Sequence, residues 1–181
     1  HNGGIYTGPL KNGQAHGTGT VTFPNGVRYE GDVYFGIIQG QGVLLFPDGA
    51  RYEGGFENGL RSGQGTFTTP DGFTYQGPYV EDQPNGYGTM TFPDSTKYKG
   101  WVRDGKRQGR GKFTKPDGTC YEGMFDNDAP KLSADKIKVT GDLRDRTISV
   151  PLPDDNGGTG LREAILYYVG KDGEGVKLAT F

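Results

Sequence analysis

Residues 52–72 read YEGGFENGLRSGQGTFTTPDG, and the pattern of this stretch recurs along the chain. A tyrosine returns every 23 residues, and a glycine follows each tyrosine two positions later. Paired glycines stand eleven and thirteen positions after the first five tyrosines, and a Pro-Asp-Gly turn sequence or a close variant comes next. Repetition at a fixed period of roughly 20 to 50 residues indicates a repeat architecture. The repeat tyrosines are Tyr6, Tyr29, Tyr52, Tyr75, Tyr98 and Tyr121.

Each copy of the repeat contains two short stretches with strand periodicity. The first runs from the tyrosine to an apolar residue four positions later, as from Tyr52 to Phe56. The second has the pattern Gly-x-apolar-x-Phe, as in residues 19–23. Both alternate with period two, which is typical of half-buried strands. Turn sequences separate them, Asn58-Gly59 within a copy and Pro70-Asp71-Gly72 between copies. The sequence therefore predicts an all-β fold, an elongated antiparallel meander rod that grows by one β-hairpin per 23 residues.

The alternation also assigns side chains to the two faces of the predicted sheet. The tyrosine, the glycine after it and the apolar residue four positions later share one face. Glycine inside a strand marks a close approach, and here it leaves room for aromatic rings to lie flat over the sheet. We therefore expect the six repeat tyrosines to form the core. The threonines expected on the opposite face are Thr18, Thr20, Thr22, Thr66, Thr68, Thr89 and Thr91.

The register divides the chain into an array and an extension. Residues 1–128 hold five full repeats from Tyr6 and a partial sixth. Residues 2–5 contain Asn2-Gly3 on the register of a turn, so we interpret them as the remnant of a repeat that begins before His1. Residues 129–181 leave the register and form a C-terminal extension.

Apolar alternation predicts a small, mostly β extension. Its expected hairpin pairs residues 164–169 with 176–181, although residues 161–169 also fit a helical stripe. Residues 153–160 are rich in Asp and Gly; we interpret them as a solvated turn, because the closing acidic residue of a calcium-binding loop is missing. The apolar sequence around Phe181 leads us to expect that the C-terminus is incomplete.

Composition excludes several classes of protein. Glycine and proline make up about a quarter of the chain, but aromatic residues at 12% argue against disorder. A net charge of −2 argues against a globally basic nucleic-acid binder, so no nucleic-acid partner is expected. Cys120 is the one cysteine, which excludes an intrachain disulfide and a zinc site built on several thiolates. No apolar run of about 18 residues occurs, so no transmembrane segment is predicted.

Catalytic motifs are missing from the sequence. Nucleophile-elbow, P-loop and zinc-protease signatures do not occur. His16 falls in a loop inside the first repeat, where a structural or solvent-exposed role is expected, and Gly17-Thr18-Gly19 precedes a strand rather than the helix of a dinucleotide site. We therefore predict a protein that is not an enzyme, with no cofactor and no metal.

One segment has a charge that differs from the rest of the array. Residues 97–116 carry a net charge of +7, whereas residues 50–96 carry −4. An ordinary solvated surface is one interpretation of this charge, and a docking patch for an acidic protein segment or for phosphoinositide headgroups is the other. Strand alternation places four of the cations on the outward face and the two at 106 and 107 in the adjoining loop. The candidate residues are Lys99, Arg103, Lys106, Arg107, Arg110 and Lys112.

The pattern that runs from Tyr52-Glu53-Gly54 to Pro70-Asp71-Gly72 resembles the MORN repeat (membrane occupation and recognition nexus) over residues 2 to about 128. The resemblance implies a non-catalytic rod that docks proteins or anionic lipids, as in junctophilins, radial-spoke head proteins and cytoskeletal scaffolds. Two loops depart from the pattern, because Asp82 and Asp128 replace a glycine, and we expect these loops to be shaped differently. Three copies lack the expected aromatic residue and have Leu10, Val33 and Val102 instead.

Rows of tyrosine and phenylalanine across the repeats offer an extended surface, as in solenoid proteins. We therefore expect a non-catalytic scaffold or adaptor that docks protein partners, in a cytoskeletal or axonemal assembly. A membrane tether that binds anionic phospholipid, and an accessory region of a longer enzyme, are the alternatives. The expected location is the cytoplasm, with the cytoskeleton, the axoneme or a membrane surface as more specific sites.

Overall fold

A computed structural model describes residues 3–131, 138–140, 148–152, 162–167 and 177–179, with side chains for residues 3–131. This part of the chain is all β and contains no helix. The strands of the repeat array are β1 (Ile5–Thr7), β2 (Leu10–Lys11), β3 (Gln14–Ala15), β4 (Gly17–Thr22), β5 (Arg28–Tyr34), β6 (Ile37–Leu45), β7 (Arg51–Glu57), β8 (Leu60–Thr68), β9 (Thr74–Val80), β10 (Gln83–Pro84), β11 (Gly86–Thr91), β12 (Lys97–Arg103), β13 (Lys106–Thr114), β14 (Cys120–Asp126) and β15 (Ala129–Lys131).

The main sheet has 14 strands, and consecutive strands pair antiparallel from β4 to β10 and, after β9 also pairs with β11, from β11 to β15. Strand β1 pairs with β4, and β2 and β3 form a separate two-stranded sheet. Strands β7 and β8 form one hairpin, whose turn residues Asn58 and Gly59 have φ of 52° and 84°. Positive φ at both positions is the type I′ turn, which matches the twist of paired strands. The Pro-Asp-Gly turn of the third copy places Gly72 at φ 95°. The predicted meander of 23-residue hairpins and its turns are thus confirmed.

The repeat tyrosines form a column that is packed against glycine. Tyr52 is fully buried, and Gly54 and Gly65 lie directly opposite each other beneath its ring. A Cβ atom on Gly54 would lie 2.5 Å from the Cα of Gly65, so a side chain does not fit there. The Tyr52 hydroxyl donates a hydrogen bond to the carbonyl oxygen of Gly55 at 3.0 Å. The predicted tyrosine core is therefore confirmed at this position.

Neighbouring copies interlock through these rings. The Phe56 ring makes edge contacts with Tyr29 in the preceding copy and with Tyr52 in its own, at centroid distances of 5.0 and 5.3 Å. Val33 and Val102 are buried at the position of Phe56, so aliphatic side chains also serve there. Each copy therefore buries its apolar residues against the next copy, as a repeat architecture requires.

The loops that carry aspartate keep the turn shape of the glycine loops. Asp82 and Asp128 have φ of 68° and 71°, close to the values of Gly13 and Gly105 at the equivalent position. The expectation that these loops are shaped differently is therefore wrong. Aspartate tolerates the left-handed conformation better than most residues, and it gains side-chain partners here that glycine lacks.

The extension is also β where it is described. Strand β16 (Lys138–Thr140) pairs with β14. Strands β17 (Ile148–Leu152), β18 (Arg162–Tyr167) and β19 (Lys177–Ala179) form an antiparallel three-stranded sheet, so residues 162–167 adopt the strand rather than the helical alternative. The expected turn at 153–160 lies outside the described residues, as does Asn2 of the expected repeat remnant at 2–5. Within the described part, no helix is long and apolar enough to cross a bilayer.

Candidate functional site

The main sheet presents two chemically different surfaces. We call the surface that carries the repeat tyrosines the Tyr face, and the opposite surface the outer face. Four of the six tyrosines are at most 1% exposed: Tyr29, Tyr52, Tyr75 and Tyr98. These four rings support the fold and do not reach a partner.

Half-buried phenylalanines cover the Tyr face beside the tyrosine column. Their rings touch across copies, with centroids 6.2 Å apart for Phe46 and Phe67 and 6.1 Å apart for Phe92 and Phe113. We call this set the phenylalanine row. Its members are Phe23, Phe46, Phe67, Phe73, Phe92 and Phe113.

Two open hollows border the phenylalanine row. One has a volume of about 290 Å³ and lies between Phe23, Phe46 and Arg61. The other has a volume of about 420 Å³ and is lined by Phe92, Phe113 and Arg107. Each hollow therefore combines exposed aromatic surface with one arginine.

The structure corrects the predicted setting of Lys106 and Arg107. Both residues begin strand β13 instead of lying in a loop, because the turn before them contains only Asp104 and Gly105. The Arg107 guanidinium lies on the Tyr face, where its Nε is 3.2 Å from Oδ1 of Asp128. Its central carbon is 5.5 to 5.8 Å from four ring centroids, those of Phe92, Tyr98, Phe113 and Phe125. Arg107 therefore packs between copies and is separated from the exposed cations.

The other basic candidates lie on the outer face or at its edge. Lys99, Arg103, Arg110 and Lys112 alternate outward as predicted, and all four are exposed. Arg110 pairs with Glu122 at 2.9 Å. Among the side chains of residues 3–131, the ion pairs do not include Lys99, Arg103 or Lys112. These three cations are thus available to an anion.

Two large aromatic residues stand among these cations. Tyr87 and Trp101 are 51% and 54% exposed, and their ring centroids are 6.0 Å apart in an edge contact. Neither residue was singled out from the sequence. Comparison of the copies would have found Tyr87, because Thr18, Gln41 and Gln64 occupy its position in the first three repeats.

A hollow of about 270 Å³ opens between these rings and the cations. We call it the outer bay. It is lined by Tyr87, Lys99, Trp101, Arg110, Gly111, Lys112 and Glu122.

The described residues hold no cluster of metal-ligating side chains. No set of three His, Cys, Asp or Glu side chains within them is placed to hold a metal ion. His16 packs against the rings of Tyr34 and Phe35, at centroid distances of 5.0 and 4.7 Å. This agrees with the structural role expected for it.

Comparisons with known proteins show which family model matches the chain and which solved structures are similar to it. The family model described as MORN repeat matches residues 6–28, 29–51, 52–74, 75–97 and 98–120. A similar solved structure is the SAS-4 (dCPAP) TCP domain in complex with a proline-rich motif of Ana2 (dSTIL) of Drosophila melanogaster. It has 12% identity and a TM-score of 0.44, and the match covers 77% of this chain and 79% of that chain. No match is found among curated protein sequences.

Proposed function

The chain belongs to the MORN repeat family, and we propose that it is a non-catalytic scaffold that docks protein partners along the Tyr face. MORN repeats are motifs of interaction with proteins or lipids, and the repeat itself is non-catalytic. Our proposal includes a cytoplasmic setting in a cytoskeletal or axonemal assembly, which the resemblance to such family members supports.

The phenylalanine row is the observation that carries this proposal. Its rings are only half buried, and the row continues across the repeats. Aromatic residues are enriched at protein interfaces, and a continuous exposed apolar surface marks a site of interaction more often than scattered apolar residues do. A partner that covers the row would fill the two hollows beside it.

The repeat supplies a variant that should weaken docking without unfolding the rod. Thr69 stands in the third copy where Phe46 and Phe92 stand in the second and fourth, so the fold accepts threonine at this position. We expect F46T/F92T to lose partners that the wild-type protein captures by crosslinking in a native extract. The matched control is Leu45→Thr, which makes the same kind of change on the outer face, where the other four copies have threonine. Equal capture by F46T/F92T and the wild type would refute docking on the Tyr face.

Anionic lipid binding is a second candidate, which the unpaired cations of the outer face favour. Attraction of a basic segment to an anionic leaflet contributes about 1 kcal/mol per basic residue near the surface. If the rod is a tether, reversal of Arg103, Arg110 and Lys112 to Glu abolishes sedimentation with phosphatidylserine vesicles. Binding by the wild type also falls with salt, because exposed charges are screened beyond about 8 Å at physiological ionic strength. Binding to neutral phosphatidylcholine vesicles, or an unchanged triple variant, would contradict this candidate.

A further inference from the structure

We propose that the outer bay binds an extended acidic peptide segment, with a carboxylate between Lys99 and Lys112 and an apolar side chain against Tyr87 and Trp101. This site lies on the face opposite the phenylalanine row. The inference goes beyond the proposed function and does not depend on which partner the Tyr face docks.

The strand register assembles the outer bay from two neighbouring cross-strand pairs. Tyr87 in β11 lies directly opposite Trp101 in β12, and Lys99 in β12 lies directly opposite Lys112 in β13. At about 270 Å³ the hollow is below the volume of typical small-molecule sites, which start near ~300 Å³. Its size therefore suits one or two side chains of a bound segment.

The other repeats show which charges the fold itself prefers at this position. In the second and third copies an arginine and a glutamate pair along the same strand, at 2.6 Å for Arg28 and Glu30 and at 2.7 Å for Arg51 and Glu53. The fifth copy has Lys97 and Lys99 at the same two positions. Lys99 therefore repels Lys97 at the place where the second and third copies have an arginine–glutamate ion pair.

The repulsion extends across the strands. Like charges directly opposite each other on one face of a sheet are destabilising, and Lys99 faces Lys112 in this way. Among the described side chains no carboxylate forms an ion pair with either lysine. A carboxylate of a ligand between the two ammonium groups would relieve this repulsion, so the bay has the charge that an acidic ligand complements.

The aromatic residues are likewise not required by the fold. The position of Trp101 is Pro9, Asp32, Gly55, Pro78 and Met124 in the other copies. Exposed Trp and Tyr beside a hollow are typical anchors for a partner side chain, since these residues carry much of the energy of protein interfaces.

A peptide segment fits the outer face better than a bilayer does. On the outer face of the second and third copies Glu30, Asp32 and Glu53 stand beside only Arg28 and Arg51, so a membrane resting along the rod would meet carboxylates and no excess of positive charge there. A short segment contacts the bay alone and avoids them. Glu122 at the rim lies opposite Lys112 in the register, but its carboxylate forms its ion pair with Arg110, so Lys99 and Lys112 have no ion-pair partner among the described side chains.

The bay contains its own reporter, because Trp101 is the one tryptophan of the chain. We would titrate the full protein with a capped peptide of alternating Glu and Asp around one central Leu, and with the same peptide in Gln and Asn. We expect a saturable change in Trp101 fluorescence with the acidic peptide and none with the amide peptide. No change with the acidic peptide, or the same response to both, overturns the proposal. A response to phosphatidylserine vesicles but not to the acidic peptide also overturns it and assigns the bay to membranes.

Lys99→Glu separates ligand binding from stability. We expect K99E to weaken binding of the acidic peptide at least ~10-fold, which corresponds to about 1.4 kcal/mol. The unfolding temperature should stay equal or rise, because glutamate at this position restores the charge pattern of the second and third copies. Lys11→Glu makes the same charge change far from the bay and should bind the peptide as the wild type does. Unchanged affinity of K99E, or its destabilisation, refutes the proposal.

The two faces can be tested independently of each other. F46T/F92T changes only the Tyr face and should bind the acidic peptide normally. Failure at the outer bay and failure on the Tyr face are therefore distinguishable.

Discussion

The Nε atom of Arg61 donates a hydrogen bond to Oδ1 of Asp82 in the next copy, at 3.0 Å. The same carboxylate oxygen accepts the backbone N–H of Arg61 at 2.8 Å, and the guanidinium also donates to the backbone carbonyl of Asp82. Arg107 and Asp128 repeat these contacts two copies later. The two pairs therefore fasten neighbouring hairpins to each other.

The sequence contains this pairing as an internal covariation. Arginine occurs nine positions after the tyrosine only in the two copies that are followed by aspartate at the loop position. In the other three full copies this position holds Ala15, Ile38 or Pro84, and the loop of the following copy has glycine instead of aspartate, as Gly59 follows Ile38. The backbone hydrogen bond between the two positions is kept in both cases, for example from Gly59 to Ile38 at 2.9 Å.

We therefore expect Arg61 and Asp82 to be exchangeable only as a pair. Hydrogen bonds to charged groups contribute about 1.5–3 kcal/mol, and solvent screening of this partly exposed pair lowers that value. Arg61→Ile and Asp82→Gly should therefore each lower the free energy of unfolding by about 1–2 kcal/mol. The double variant copies Ile38 and Gly59 and should recover most of the loss, with a coupling energy of about 1–2 kcal/mol. Equilibrium denaturation of the wild type, the two single variants and the double variant gives this coupling energy. Strictly additive losses would mean that Arg61 and Asp82 do not stabilise each other.

Glycine beneath the tyrosine rings should be far less replaceable than the threonine of the outer face. A Cβ atom on Gly54 would lie 2.5 Å from the carbonyl oxygen of Gln64, which is backbone and yields little. Gly54→Val should therefore destabilise the rod by more than ~2 kcal/mol. Thr68→Val on the exposed outer face should change stability by less than ~0.5 kcal/mol. Thermal unfolding compares the two, and equal effects would mean that the faces are assigned wrongly.

The buried tyrosines should make the fold sensitive to alkali. Burial raises the pKa of Tyr29, Tyr52, Tyr75 and Tyr98 from 10.0 to about 12. Because the folded pKa is raised, this contribution to stability is complete below about pH 10, where both states are neutral. It is lost as the pH rises towards about 12, since the unfolded chain ionises first. Tyrosinate absorbance for these four residues should therefore rise together with loss of the β circular dichroism signal. Their ionisation near pH 10 in the folded protein would contradict the buried column.

A hydroxyl group in one turn should control the pKa of the neighbouring aspartate. The Thr69 hydroxyl, and secondly the backbone N–H of Phe73, hold the pKa of Asp71 below its usual value. A lowered folded pKa stabilises the turn above the unfolded pKa, and this contribution is lost as the pH falls through the folded pKa. Thr69→Val should raise the pKa of Asp71 in a carboxyl-detected NMR titration. Asp94 serves as the control, because its lowered pKa comes first from the backbone N–H of Thr96. An unchanged Asp71 would remove the hydroxyl as the cause.

The sequence alone predicted the repeat, the antiparallel hairpins, the turns and the tyrosine core. These features depend on local geometry: period two in a strand, positive φ at Gly59 and Gly72, and the space that Gly54 leaves for Tyr52. Each of these features recurs in several copies of the repeat, so the prediction did not depend on the sequence of one copy alone.

The outward direction of Lys99, Arg103, Arg110 and Lys112 was likewise available from alternation. The direction of the Arg107 side chain could not be predicted from the sequence. A basic residue beside a turn has the same sequence pattern whether its side chain points into solvent or packs on aromatic rings. Its direction follows from its cross-strand partner, the buried Val102, and from the carboxylate of Asp128 in the following copy.

The sequence by itself thus determined the meander, its register and its buried face, since these follow from residues that are close along the chain. Only the tertiary structure decided which side chains meet across strands: Lys99 with Lys112, Tyr87 with Trp101, and Arg61 with Asp82. The physical reason is that strand pairing and the packing of neighbouring hairpins bring residues 13 to 21 positions apart into contact, and the bulge between Gly100 and Val102 shifts the strand pairing locally.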